Sequence, residues 1–159
     1  MTTPTKPGSA HHNGNGSGRR LDMILESKVE SADLAENLIY EFSKEEYGEE
    51  EHHAIRLAVR EAMANAVLHG NRFDFSKKVF LSVELAAHRM MISIRDEGEG
   101  CELESVPDPL AEHNMLRESG RGMLLIRTCM DEVTWQRVPS GGMELVMSKH
   151  CPRSRTAPK

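Results

Sequence analysis

Leu57-Ala58-Val59-Arg60-Glu61-Ala62-Met63-Ala64-Asn65-Ala66-Val67-Leu68-His69-Gly70 reads as the end of an amphipathic helix, and its polar positions organise the rest of the chain. The spacing predicts a helix from about Glu50 to His69, with Gly70 as its stop. Ala54, Ala58, Ala62 and Ala66 recur every fourth residue and keep one side slim, so another element can approach closely. Glu61 and Asn65 are one turn apart and share a face. In helical register that face continues to His69.

Upstream, Leu21, Met23 and Leu25 alternate, which predicts a strand from about Leu21 to Glu30. Ser31 reads as an N-cap, and Leu34, Leu38, Ile39 and Phe42 carry helical spacing to about Ser43. Gly48 breaks the chain within an acidic link, and Glu49-Glu50-Glu51 favours a helix start through the dipole. His52 and His53 are expected on the exposed first turn of that helix.

Downstream, Val79, Leu81, Val83 and Leu85 give one apolar face, and Met90, Ile92 and Ile94 another. The link Ala86 to Arg89 makes them a hairpin. Residues 101 to 119 hold little periodicity, and a loop of that length in a compact domain is often functional. A helix from Gly122 to about Met130 follows, then strands Glu132 to Val138 and Met143 to Ser148. The order β-α-α-β-β-loop-α-β-β predicts an α/β (α+β) sandwich, with helices on one face of a mixed, mostly antiparallel sheet. Trp135 reads as sheet packing, and the ten methionines read as core filler.

A chain of 159 residues suits one domain with tails. Residues 1–20 are rich in Gly, Ser, Thr, Pro and Asn and read as a disordered tail. His11-His12 there has no further ligands nearby. Residues 21–150 form the expected domain, and 151–159 a short basic tail. A net charge of −5 argues against direct nucleic-acid binding. No apolar run approaches the roughly 18 residues of a membrane span, and the N-terminus lacks the apolar core of a signal peptide. Cys101, Cys129 and Cys151 form no CxxC pair, which suits a reduced, cytoplasmic protein without a membrane role. Cys101, beside the glycine-rich turn, is either a reactive thiol or a small filler.

Three short motifs carry the chemistry. Asn65 offers a neutral oxygen to a hard cation such as Mg²⁺, and Glu61 could accept a proton from a hydroxyl attacking a phosphoryl group. Taken alone, the pair also suits a solvated helix flank. Asp96-Glu97-Gly98-Glu99-Gly100 ends a strand. A carboxylate there can accept from an exocyclic amine such as adenine's, and Gly98 and Gly100 let backbone approach a flat ligand. An ordinary acidic turn would read the same way. Gly120-Arg121-Gly122 opens an apolar helix, so its N–H groups and dipole could cradle phosphate. Arg121 either adds charge there or points to solvent. Neither a Walker loop nor a Rossmann fingerprint is present.

In combination, Glu61-x-x-x-Asn65, Asp96-x-Gly98-x-Gly100 and Gly120-x-Gly122 resemble the signature boxes of the GHKL ATPases. The strings Leu57 to Gly70, Gly120 to Ile126 and Met130-Asp131-Glu132-Val133 resemble bacterial anti-sigma factor serine/threonine kinases. The resemblance spans about Leu21 to Ser148. It implies a Bergerat-type ATP-binding fold, with Glu61 as general base and Asn65 as Mg²⁺ ligand. Asp96 would read adenine, with Gly98 and Gly100 beside the nucleotide and Gly120, Arg121 and Gly122 at the phosphates. Residues 101 to 119 would form the lid. Family members phosphorylate a STAS-domain anti-sigma antagonist and bind a sigma factor, often as homodimers. Met143 follows Gly142 where the family often has a threonine, which removes one possible hydroxyl contact. The alternative is a non-catalytic, nucleotide-dependent binding switch on the same fold. A histidine kinase or topoisomerase would need paired helices or transducer domains that the chain lacks.

Overall fold

The computed structural model describes residues 18–98 and 121–152. The strands are β1 (Arg19–Glu26), β2 (Lys78–Leu85), β3 (Arg89–Arg95), β4 (Glu132–Arg137) and β5 (Met143–His150). The helices are α1 (Ser31–Ser43), α2 (Glu49–Asn65) and α3 (Arg121–Cys129), with a π-helical turn, Ala66–Gly70, after α2. The strands lie in the order β1-β2-β3-β5-β4, and every neighbouring pair is antiparallel. The sheet is therefore antiparallel at each of these pairings, not mixed. The two hairpins, β2-β3 and β4-β5, pair this way by their short links. The chain returning through α2 also enters β2 against the direction of β1.

Period-2 alternation decides which face is buried. Val79, Leu81, Val83, Leu85, Met90, Ile92 and Ile94 sit in one core with Leu145 and Met147 of β5. Ala35 and Ile39 of α1, Ile55, Val59 and Met63 of α2, and Ile126 of α3 meet them there. Each fully buried side chain of this size contributes about 1.5–3 kcal/mol. The alternate positions Arg20, Asp22, Ile24, Glu84, Thr134 and Gln136 are exposed, so the helices cover a single face. Trp135 is partly buried against the core, as its strand position predicts. Cys129 and Cys151 are both buried, and burial pushes their thiols up.

Four local expectations need correction. The first strand ends at Glu26 and not at Glu30, and it begins at Arg19, inside the expected tail. Ser31 does not cap α1. It is the helix's first residue, and its Oγ donates to the Glu26 carbonyl at 2.7 Å, which also accepts from Lys28 N where β1 ends. His52 is buried while His53 is exposed. It lies three and seven residues before Ile55 and Val59, on the core face of α2, with its ring centroid 4.9 Å from Tyr40 and 5.8 Å from Tyr47. The long helix also does not run in α register to His69. After Asn65 it widens into the π turn, and the Asn71 N–H bonds the Ala66 carbonyl five residues back at 2.8 Å. The widening takes His69 out of register with Glu61 and Asn65 and leaves it exposed.

The start of α2 is set by Gly48, whose N–H donates to Glu51 Oε2 at 3.0 Å. Its middle is tied to α1 by Glu36, which is 4% exposed and accepts from Arg60 Nε at 2.7 Å and Arg56 Nε at 3.3 Å. A carboxylate this deep needs those partners, because an unpaired buried charge is costly.

Candidate functional site

The site has two halves, and α2 with its π turn reaches both. At one half, Glu61 and Asn65 project, half-buried, toward the first turn of α3. A methyl group built on Gly122 would lie 2.8 Å from Glu61 Oε2 and 3.7 and 3.8 Å from the two amide atoms of Asn65. The absent side chain is what lets the start of α3 rest on this pair. The Asn65 Nδ2 donates to Met123 Sδ at 3.7 Å, which leaves its Oδ1 as an acceptor. An oxygen donor beside a carboxylate fits a hard cation that keeps waters and takes phosphate oxygens as further ligands. Arg121 is the exposed first residue of α3.

The other half is Asp96, just after β3 and 6% exposed. Its N–H donates to the Met143 carbonyl at 3.0 Å, and its Oδ1 accepts from Gly98 N at 2.9 Å and Met143 N at 3.2 Å. Among the described residues Oδ2 accepts no hydrogen bond, so it is the oxygen able to receive one from a ligand amine. Burial pushes the Asp96 carboxyl above the ordinary range, while the Gly98 and Met143 N–H groups and Lys77 pull it back.

Glycines crowd this carboxylate. A methyl on Gly70 would lie 2.2 Å from Asp96 Oδ2, and one on Gly98 would lie 2.2 Å from the Gly70 carbonyl. One on Gly142 would lie 2.2 Å from the Asp96 carbonyl, and Gly142 also has a left-handed φ of 89°. The end of α2, the end of β3 and the start of β5 thus converge on one side chain.

Asn71 locks the corner from behind. It is fully buried; its Nδ2 donates to Ser27 Oγ and to the Lys78 carbonyl, each at 3.0 Å, and its Oδ1 accepts from Glu97 N at 2.8 Å. The Glu97 carboxylate is turned away to accept from Lys78 N at 2.7 Å. Of the residues expected from sequence, the structure therefore gathers Glu61, Asn65 and Gly122 at one half and Asp96 and Gly98 at the other. Gly100, Gly120, Cys101 and the expected lid, 101 to 119, lie outside the described residues. Sequence reasoning missed Asn71; it read Gly70 only as a helix stop and gave Gly142 no part in the site. The Gly70-Asn71 and Gly141-Gly142 pairs were visible, but nothing local ties either to Asp96.

Comparison with known proteins points to a family for this fold. The family described as the histidine kinase-like ATPase domain matches residues 25–149. An anti-sigma F factor of Bacillus velezensis is 36% identical over 103 residues, covering 64% of this chain and 70% of that protein. The anti-sigma F factor of Bacillus subtilis is 35% identical over the same coverage. One from Clostridium perfringens is 33% identical over 97 residues, 60% of this chain and 69% of that protein. Among the described residues no helix is long and apolar enough to cross a membrane. With the match running from the end of β1 into the last residues of β5, the chain belongs to the histidine kinase-like ATPase domain family, on the anti-sigma factor branch of the GHKL ATPases.

Proposed function

We propose that the chain is a cytoplasmic, ATP-dependent serine/threonine protein kinase of the anti-sigma type. Its substrate would be a STAS-domain anti-sigma antagonist, and it would also hold a sigma factor, working as a homodimer. The observation that carries this reading is the packing of Gly122, at the start of α3, against Glu61 and Asn65. It puts a candidate base, a candidate cation ligand and a helix N-terminus at one point.

In this reading Asp96 accepts from the adenine amine, with Gly98 and Gly100 against the base. Gly120, Arg121 and Gly122 offer N–H groups and charge to the phosphates. Glu61 takes the proton of the partner's hydroxyl as its oxygen attacks the γ-phosphorus, and the bond to the β–γ bridging oxygen breaks, leaving ADP. Asn65 would hold Mg²⁺, which neutralises phosphate charge when bound.

The test is to incubate the protein with Mg-ATP and purified STAS proteins, and to map phosphate by mass spectrometry. Transfer to a Ser or Thr is expected, and Glu61→Ala should reduce it by at least about a hundredfold while ATP binding changes little. Full transfer by Glu61→Ala would remove Glu61 as the base. Tight, nucleotide-dependent partner binding without transfer would make the domain a binding switch instead.

A further inference from the structure

The β2-β3 ladder ends with Phe80 opposite Arg95, and its register would next set Lys78 opposite Glu97. The Asp96 N–H points to β5, so the Glu97 N–H points back toward β2. Side chains take over at this pair and close a ring of three hydrogen bonds. The Glu97 N–H donates to Asn71 Oδ1 at 2.8 Å, and the Lys78 N–H donates to Glu97 Oε2 at 2.7 Å. Asn71 Nδ2 completes the ring by donating to the Lys78 carbonyl at 3.0 Å. Asn71 itself is held on all sides. Its N–H donates to the Ala66 carbonyl, its carbonyl accepts from Asp74 N at 3.0 Å, and Nδ2 also donates to Ser27 Oγ. The chain then turns away through two left-handed residues, Arg72 and Phe73, with φ of 50° and 58°. Side chains other than glycine rarely enter that region, and such strain persists where the surroundings over-determine it.

The ring acts on the peptide unit between Asp96 and Glu97. Asn71 holds its N–H, and its carbonyl faces Gly142, where a methyl would lie 2.2 Å from the oxygen. With that plane fixed, the next N–H, that of Gly98, reaches back to Asp96 Oδ1 at 2.9 Å. This bond and the one from Met143 N decide which carboxylate oxygen is occupied, and so which is left for a ligand. Asn71 does this from behind: both its amide hydrogens and its Oδ1 are engaged within the protein. Aspartate would lack the two hydrogens, and leucine would lack the acceptor as well. We propose that Asn71 is a positioning residue for nucleotide recognition. It sets the Asp96–Glu97 peptide so that Asp96 Oδ2 faces the base, without touching the nucleotide itself. This role rests on the reading of Asp96 as the acceptor of an exocyclic amine.

The experiment uses the full chain and compares ATP with purine riboside triphosphate, which lacks only the exocyclic amine, by calorimetry. The parent protein should favour ATP by at least about tenfold, as a hydrogen bond to a charged acceptor predicts. Asn71→Ala should reduce that preference to about threefold or less, through loss of ATP affinity. Tyr47→Phe is the comparison. It removes the bond from the Tyr47 hydroxyl to the Lys149 carbonyl, toward the far end of β5, and should cost stability while keeping the preference. Asn71→Asp keeps an acceptor for the Glu97 N–H, so it should recover part of the preference although both amide donors are gone. Should Asn71→Ala fail to fold, hydrogen exchange of the parent decides. The Glu97 amide should be protected in the free protein, and more so with ATP than with the analogue. Full preference in Asn71→Ala, an equal loss in Tyr47→Phe, or a freely exchanging Glu97 amide overturns the positioning role and leaves the Asp96 reading standing. A parent protein that binds both nucleotides equally, or neither at millimolar concentration, overturns the Asp96 reading and this role with it.

Discussion

The two halves of the site are built differently. Asp96 is enclosed by main chain: its carboxylate is set by two backbone N–H groups and hemmed by Gly70, Gly98 and Gly142. Glu61 and Asn65 instead stand as side chains on α2, meeting one glycine at the start of α3. A backbone-built pocket has no rotamers to search, so it suits recognition of a flat group of fixed shape. A side-chain pair can shift by tenths of an ångström, which suits groups that change position during a reaction. Glycine substitutions at the first half should damage the fold, and those at the second should damage chemistry while sparing it.

Gly142→Ala gives the largest expected effect. Its methyl has backbone, not a flexible side chain, 2.2 Å away, and its φ is left-handed. A loss of about 3 kcal/mol or more in urea unfolding is expected from strain and the clash together. A loss under about 1 kcal/mol would show that the Asp96 corner yields, and the contrast between the halves would fall.

Asp96→Asn separates recognition from stability. The amide oxygen can keep both backbone N–H bonds, but the position of Oδ2 gains a donor. Nucleotide affinity should fall by at least about thirtyfold, near 2 kcal/mol, by calorimetry. The stability effect has the opposite sign. The folded carboxyl titrates above its unfolded value, so its favourable contribution is complete below about 3.8 and is lost as pH rises through the folded value. The variant should therefore gain on the parent protein as pH rises through that window. A variant that loses ground toward neutral pH would contradict burial as the cause of the shift.

Gly122→Ala tests the other half. Here the clash is with the end of a flexible carboxylate, and alanine is a better helix former than glycine by about 1 kcal/mol. The thermal midpoint should hold or rise slightly while phosphoryl transfer falls. A fold-wide loss of stability would place this contact among the rigid elements after all.

Legibility in the sequence followed locality. The β2-β3 hairpin, the closing strands and α3 carry short periodic patterns with turn residues between them, and these elements appear within a residue or two of their expected ends. That Glu61 lies beside Asn65, and Asp96 beside Gly98, was readable because spacing puts the first pair on one face of α2 and the second in one short turn after β3. The π turn was not, because Ala66 to Gly70 holds nothing that separates a widened turn from an α-helical one. His52 was misread because its neighbours are acidic, although its step to Ile55 and Val59 marks the buried face. Asn71 was invisible for a different reason: its partners Ser27 and Glu97 are 44 and 26 positions away and meet only when the sheet forms.

Strand order has a further consequence, in time rather than space. β5 lies between β3 and β4, and its first residue, Met143, both donates to and accepts from Asp96, 47 positions earlier. A chain growing from its N-terminus carries every element of the Asp96 half except that one until the last hairpin is made. Pairing so distant in sequence also forms late in folding. Nucleotide capture at Asp96 would then register a completed sheet, and a nascent or partly unfolded chain would be unable to compete for the ligand.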